Sequence, residues 1–292
     1  MPPDKTKTTP SSNHRLSPYD RESDAGSTHK STGDQSTITA TKSDLIHSSG
    51  RLQGRGTAHE VLKCISKLRR TGKPYSIDVE IVHKQPEQHG GPSIVSAPCL
   101  KSVKLVIKDG DPSNESELTR LLDALQAPDL KKASILCLGE STGACENAAY
   151  KFLETAGESG KLTTVILSLR CRFKDPLKKY LRSSAAKHLT TLFLHTNAFL
   201  EDELVPIIPQ TCFLSNLEKL VLRNAVRTNA DPVIFFSALQ RRHNAGNSKL
   251  RAVRITVVDG IPAEVVARAH AIGIEYQAYR RVSRKNREWF IE

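Results

Sequence analysis

The chain has 292 residues, a formal net charge of +12, and 38% aliphatic and aromatic residues. With glycine counted in and tyrosine left out, the apolar share is about 41%, below the ~45–50% of ordinary globular domains, so part of the chain is expected to lack a core. Composition excludes collagen, a coiled coil and a small disulfide scaffold, and no apolar run approaches the ~18 residues of a membrane-spanning helix.

Residues 1–56 contain 18 Ser or Thr and almost no clustered aliphatics. Such a stretch buries too little apolar surface to offset its conformational entropy, which predicts a disordered tail over 1–56. No secretory apolar segment opens the chain, and Asp4, Asp20, Glu22 and Asp24 argue against a transit peptide. From Thr57 to Arg70, the residues Val61, Leu62, Ile65 and Leu68 recur at helical spacing. Arg69 to Pro74 breaks that pattern, and Tyr75 to His83 alternates as a strand through Ile77, Val79 and Ile81. The six cysteines, Cys64, Cys99, Cys137, Cys145, Cys171 and Cys212, form no C-x-x-C pair. They are expected to be reduced, buried thiols of an intracellular protein of the cytoplasm or nucleus.

A short pattern, Leu-x-x-Val/Leu-x-Leu/Ile, then recurs. It reads Leu100-Val103-Leu105, Leu130-Ala133-Ile135, Leu162-Val165-Leu167, Leu189-Leu192-Leu194, Leu217-Leu220-Leu222 and Leu250-Val253-Ile255. The spacings are 30, 32, 27, 28 and 33 residues, and self-similarity of this kind marks a solenoid or array. Helical patterns lie between the repeats. Leu118, Leu121, Leu122 and Leu125 share one helix face. Ala148–Leu153, Leu177–Leu181, Leu204–Ile208, Val233–Leu239 and Val265–Ala271 follow, and Ile274 to Tyr279 reads as a last strand.

Strands alternating with helices over short links predict a parallel sheet. A doubly wound sheet with helices on both faces gives continuous aliphatic strands. Here most strands alternate, with Lys104, Ser134, Arg223 and Arg254 at outward positions. The predicted fold is therefore α/β: an irregular leucine-rich-repeat-like solenoid with a parallel sheet on one face and helices on the other. It is expected to span 57–281, between the tail and a basic, aromatic C-terminus at 282–292.

These phrases carry a resemblance. Leu121-Leu122-Asp123-Ala124-Leu125-Gln126-Ala127-Pro128-Asp129-Leu130-Lys131-Lys132, Leu189-Thr190-Thr191-Leu192-Phe193-Leu194 and Leu217-Glu218-Lys219-Leu220-Val221-Leu222 resemble the leucine-rich-repeat region of divergent fungal F-box-type proteins. So does the helix ending Arg69-Arg70-Thr71-Gly72-Lys73-Pro74. The resemblance covers roughly 58–281. It implies a non-catalytic adaptor that recruits a substrate to a ubiquitin ligase through a Skp-type adaptor. The chain departs from the family in two ways. Its repeats lack the Asn of the full motif except at Asn197, and residues 1–56 show neither the Leu-Pro start nor the apolar helices of an F-box. What carries over is a protein-binding surface.

In such a solenoid, the residues flanking the leucines face the open side. The middle row is Lys104, Ser134, Ile166, Phe193, Val221 and Arg254. The next row is Val106, Leu136, Ser168, His195, Arg223 and Thr256. Ile166, Phe193 and Val221 then form an apolar patch edged by His195, Arg223 and Arg254, the pattern of a protein interface with aromatic and Arg anchors.

Two other readings compete. Gly139-Glu140-Ser141-Thr142-Gly143 matches G-x-S-x-G between an apolar run and a helix, which would make Ser141 the nucleophile of an α/β-hydrolase-like esterase. Asp259 and His270 follow in the required order, but only 11 residues apart. The second reading is nucleic-acid binding through Arg280, Arg281, Arg284, Lys285 and Arg287, beside Tyr279, Trp289 and Phe290; the same run resembles a nuclear-localisation segment. Thr71-Gly72-Lys73-Pro74 is no P-loop, and no H-E-x-x-H, EF-hand loop or G-x-G-x-x-G is present. The reading calls for no cofactor, no metal and no membrane.

Overall fold

A computed structural model describes residues 44–84, 93–108, 111–138, 142–169, 174–195, 204–223, 232–246, 248–257 and 261–280. All belong to one compact unit, Lys42–Glu292.

Order begins earlier than the composition predicts. Strand β1 (Ile46–Ser48) pairs antiparallel with β2 (Arg51–Gly56), and β2 runs parallel to β3 (Tyr75–Ile81). Residues 44–56 therefore start the sheet and do not belong to a disordered tail. Close backbone approach is the cause. Gly54 adopts φ +123°, and a Cβ there would lie 2.0 Å from the Asp44 carbonyl oxygen. The bare glycine lets the incoming chain cross β2, while Leu52 is buried and Leu45 packs against the core.

Helix α1 (Ala58–Leu68) has a reciprocal cap. Glu60 N donates to Thr57 Oγ1 at 3.3 Å, and Thr57 N donates to Glu60 Oε2 at 2.9 Å. Such a cap contributes about 1 kcal/mol. Its apolar stripe, Val61, Leu62, Ile65 and Leu68, is buried. Strand β4 (Val95–Ser96) precedes β5 (Leu100–Ile107) and α2 (Pro112–Ala124). Asp111 caps α2 through Ser113 N at 2.8 Å, with Pro112 in the first turn, so the helix starts before its leucine stripe. Strand β6 (Leu125–Gln126) pairs with β4 in a separate ladder. Next come β7 (Lys132–Cys137), α3 (Gly143–Gly157), β8 (Thr164–Ser168), α4 (Lys174–Arg182) and β9 (Thr191–His195). The described chain closes with β10 (Lys219–Arg223), α5 (Pro232–Asn244), β11 (Ala252–Val257), α6 (Ala263–Ala271) and β12 (Glu275–Arg280).

One predicted helix is absent. Residues 204–209 form successive turns, in which Ile207 N and Ile208 N both donate to Leu204 O. Pro206 and Pro209 supply no N–H, so the helical ladder cannot continue.

The sheet has ten strands in the order β1-β2-β3-β5-β7-β8-β9-β10-β11-β12, parallel throughout except for β1. Burial alternates cleanly in β3 and β9, whereas β7 is buried from Ala133 to Cys137 and β10 from Leu220 to Leu222. In β3, Tyr75, Ile77, Val79 and Ile81 are buried while Ser76, Asp78 and Glu80 are half-buried. The inward set joins the helices in one continuous core. Successive helices pack on each other, α1 on α2, α2 on α3, α3 on α4, and α5 on α6. Consequently one sheet face is covered and the other is left partly open.

A backbone bond recurs at the same place in the repeats. Lys131 N donates to Lys101 O, Thr163 N to Lys131 O, and Thr190 N to Thr163 O. Glu218 N donates to Thr190 O, Arg251 N to Glu218 O, and Glu275 N to Arg251 O, so the chain of bonds continues to β12. Each residue in it directly follows the first apolar residue of its repeat, which fixes the register of neighbouring strands.

Buried polar groups join the repeats. Glu117 Oε2 accepts from Ala58 N at 2.9 Å, at the start of α1, and Glu115 Oε2 accepts from Thr142 N at 2.7 Å, at the start of α3. Carboxylates thus satisfy helix N-terminal donors of both neighbours. Arg242 is buried and donates to Ile208 O, Phe213 O and Leu214 O at 3.0, 3.1 and 2.6 Å, holding the turn segment before β10. The cysteines are less uniformly buried than expected. Cys137 and Cys145 are buried, Cys64 and Cys99 are half-buried, and Cys212 is exposed on the loop that Arg242 holds. Cys171 lies outside the described residues. Among those described, no helix is long and apolar enough to cross a membrane.

Candidate functional site

The repeat phase brings equivalent residues into single file across the sheet. Asp78, Lys104, Ser134, Ile166, Phe193 and Val221 are paired neighbour to neighbour on consecutive strands, and the row continues to Arg254 and Gln277. Above it run Glu80, Val106, Leu136, Ser168, His195 and Arg223. Below it run Ser102, Lys132, Thr164, Thr191 and Lys219. Ile166, Phe193, His195, Val221, Arg223 and Arg254 therefore all occupy one face. That face encloses a cavity of about 620 Å³.

The cavity is zoned. Its centre is apolar, built by Leu136, Ile166, Phe193 and Val221. Val221 is buried, whereas Ile166 and Phe193 are half-buried and reach solvent. Arg223 lies over the Phe193 ring, 5.4 Å from its centroid. Beside them Ser168 Oγ and His195 Nδ1 are 2.7 Å apart.

All the charged residues lining the cavity are cations: Lys104, Lys108, Lys132, Lys219, Arg223 and Arg254. Two of them are matched by acids of β3. Lys104 Nζ is 3.2 Å from Asp78 Oδ1, and Lys108 Nζ is 2.6 Å from Glu80 Oε2. Arg51 and Arg55 of β2 meet the same acids at 2.7 and 3.1 Å. The β2–β5 end of the face is thus a charge-paired ladder. Toward β11 the balance changes: among the described residues, Lys132, Lys219 and Arg254 have no ion pair, and Arg254 Nε is buried without a hydrogen-bond partner. Ser134, between Lys104 and Ile166, is also buried with an unpartnered hydroxyl.

Several residues singled out from the sequence fall elsewhere. Ser141 lies outside the described residues; Thr142 caps α3 and Gly143 is its first residue. Asp259 is also undescribed, and His270 is exposed on α6. Arg280 ends β12, while Arg281, Arg284, Lys285 and Arg287 lie outside the described residues. Thr256 is placed by its backbone in β11.

The sequence reading named the middle and upper rows but not the lower one. Lys132 and Lys219 each precede the second repeat leucine position by one residue, so the same count would have found them. Ser168 and His195, paired on β8 and β9, form a hydrogen-bonded hydroxyl–imidazole couple on this face. Among the described residues, no group of three or more His, Cys, Asp or Glu is arranged to hold a metal. The face carries apolar area at the centre, cations around it, and a hydroxyl–imidazole pair at one side. No family model matches the chain, and neither a curated protein nor a solved structure is significantly similar to it.

Proposed function

We propose that this protein is a non-catalytic recognition module, a leucine-rich-repeat-like solenoid that holds a partner protein on its open sheet face. The observation that carries the reading is the row Ile166-Phe193-Val221, aligned on three adjacent strands with two of its members reaching solvent. Partly exposed apolar patches edged by polar groups are where proteins meet partners. The solenoid reading is supported by the strand order, which runs from β2 to β12 without turning back. A doubly wound sheet reverses at a switch point. The recurring backbone bond at each repeat start supports it further.

The test is quantitative affinity purification of the full chain beside its Phe193→Ala variant and an Arg120→Ala control on the helical side. Proteins recovered by the parent and the control but lost by Phe193→Ala are the expected result. Identical recovery by all three forms overturns the reading. A Skp-type adaptor and a cullin among the recovered proteins would add a ubiquitin-ligase role.

A further inference from the structure

Resting on that reading, we infer that the groove takes an acidic segment of a partner protein, one with carboxylates on both sides of an apolar side chain. The argument is charge complementarity. The cavity lining contributes six cations and no acid. Asp78 and Glu80 answer Lys104 and Lys108, but Lys132, Lys219 and Arg254 have no acidic partner among the described residues. Arg254 also keeps its Nε buried and unbonded. A buried donor without an acceptor is costly, and a bound carboxylate would satisfy it.

The spacing sets the segment's form. Where the middle row lines the cavity it runs from Lys104 to Arg254, five strand steps apart, with Ile166, Phe193 and Val221 between them. At about 4.8 Å per step the row spans about 24 Å, which an extended chain crosses in about seven residues. Lys132 and Lys219 sit one row below, three steps apart, and bracket the same apolar centre. An apolar side chain resting on Phe193 places acids before and after it within reach of both brackets. A net charge of +12 steers such a segment toward the protein.

Nucleic acid would also answer cations, but the floor disfavours it. Base stacking needs a free aromatic face, and Arg223 already lies over the Phe193 ring. The rest of the apolar floor is aliphatic, and the His195 ring beside it is engaged with Ser168.

The experiment is selection of displayed short random peptides on the full-length chain, repeated on Lys219→Glu and Phe193→Ala variants. Peptides enriched several-fold in Asp and Glu around Leu, Ile or Phe are expected. Their binding should fall at least tenfold on Lys219→Glu and recover when a peptide acid is exchanged for Lys. Neutral peptides lost on Phe193→Ala but indifferent to Lys219→Glu overturn the acidic inference and leave the recognition face standing. Peptides indifferent to both changes, or no selected peptide at all, overturn the inference. A single-stranded oligonucleotide bound in a Lys219-dependent manner overturns it as well, by assigning the cations to phosphates. Unchanged thermal unfolding of both variants separates lost binding from lost fold.

Discussion

Arg223 and Phe193 occupy adjacent strands, and the guanidinium stands 5.4 Å from the ring centroid. They are diagonal neighbours: Val221 pairs with Phe193 and Arg223 with His195. The contact lies at the edge of the open groove, where a cation–π pair contributes about 0.5–1 kcal/mol. Arg223→Ala should lower stability by about that amount, measured by urea unfolding. A double-mutant cycle with Phe193→Leu should show coupling of similar size. Zero coupling would mean that the ring and the guanidinium are merely adjacent.

Leu192 and Phe193 are consecutive residues with opposite fates. Leu192 is fully buried beneath the helices, and Phe193 is half-buried on the groove. Leu192→Ala removes core atoms and leaves a cavity, so it should cost about 2–5 kcal/mol. Leu220→Ala, at the paired position in β10, should cost a similar amount. Phe193→Ala should cost much less and act mainly on partner binding. Equal losses at 192 and 193 would contradict the assignment of faces.

That contrast was legible because a strand's side chains alternate with period two. The repeat leucines fixed the phase, and equal phase in each repeat placed equivalent residues opposite one another. The row from Lys104 to Arg254 follows from that count. The hairpin before α1 was not legible. One leucine and two glycines in β2 carry no hydrophobic period, and its order depends on backbone approach at Gly54. The turns at 204–209 kept a helical apolar spacing while Pro206 and Pro209 removed the donors that spacing assumes. Ser168 and His195 belong to different repeats, 27 residues apart, and each side chain's reach decides their contact. The acids that match Lys104 and Lys108 lie on β3, upstream of the recognisable repeats.

Three tyrosines give the fold an alkaline limit. Tyr75, Tyr180 and Tyr276 are buried, and their hydroxyls have no hydrogen-bond partner. Burial pushes the Tyr75 phenol up from 10.0 to about 12, and raises Tyr180 and Tyr276 as well. A folded pKa above the unfolded one means that unfolding releases a proton above pH 10. The contribution is fully present below pH 10 and is lost as pH rises toward 12 for Tyr75. Urea midpoints should therefore fall steeply in that window. Tyr75→Phe removes a hydroxyl that bonds to nothing, so at neutral pH it should change stability by less than about 1 kcal/mol. It should also flatten the alkaline loss. Urea midpoints that hold level from pH 10 to 12, or an alkaline loss that Tyr75→Phe leaves unchanged, would refute this.

Arg242 is a buried cation held by three carbonyls rather than by an acid. Burial lowers its pKa, but the guanidinium remains charged at neutral pH. Arg242→Met fills similar volume and leaves those carbonyls without their donor. Each buried unsatisfied group costs about 1–3 kcal/mol, so a loss of about 3 kcal/mol or more is expected. Proteolysis should concentrate in the turns at 204–217, which Arg242 ties to α5. Stability and cleavage like the parent's would show that water replaces the guanidinium at no cost.

Gly157 ends α3, where a helix would ordinarily gain from alanine by up to about 1 kcal/mol. Here the sign should reverse. A Cβ at 157 would stand 2.6 Å from Ala185 Cβ and 3.1 Å from Ala185 Cα. Ala185 is itself buried, in the short turn after α4, so it has little room to retreat. Gly157→Ala should therefore push α3 off that turn and cost about 1–3 kcal/mol, the usual range for overpacking. Ala185→Gly in the same chain removes the nearer of the two atoms and should recover part of the loss. A stabilised single variant would mean that the α3–turn contact is looser than the packing distance requires, and that propensity alone governs this helix end.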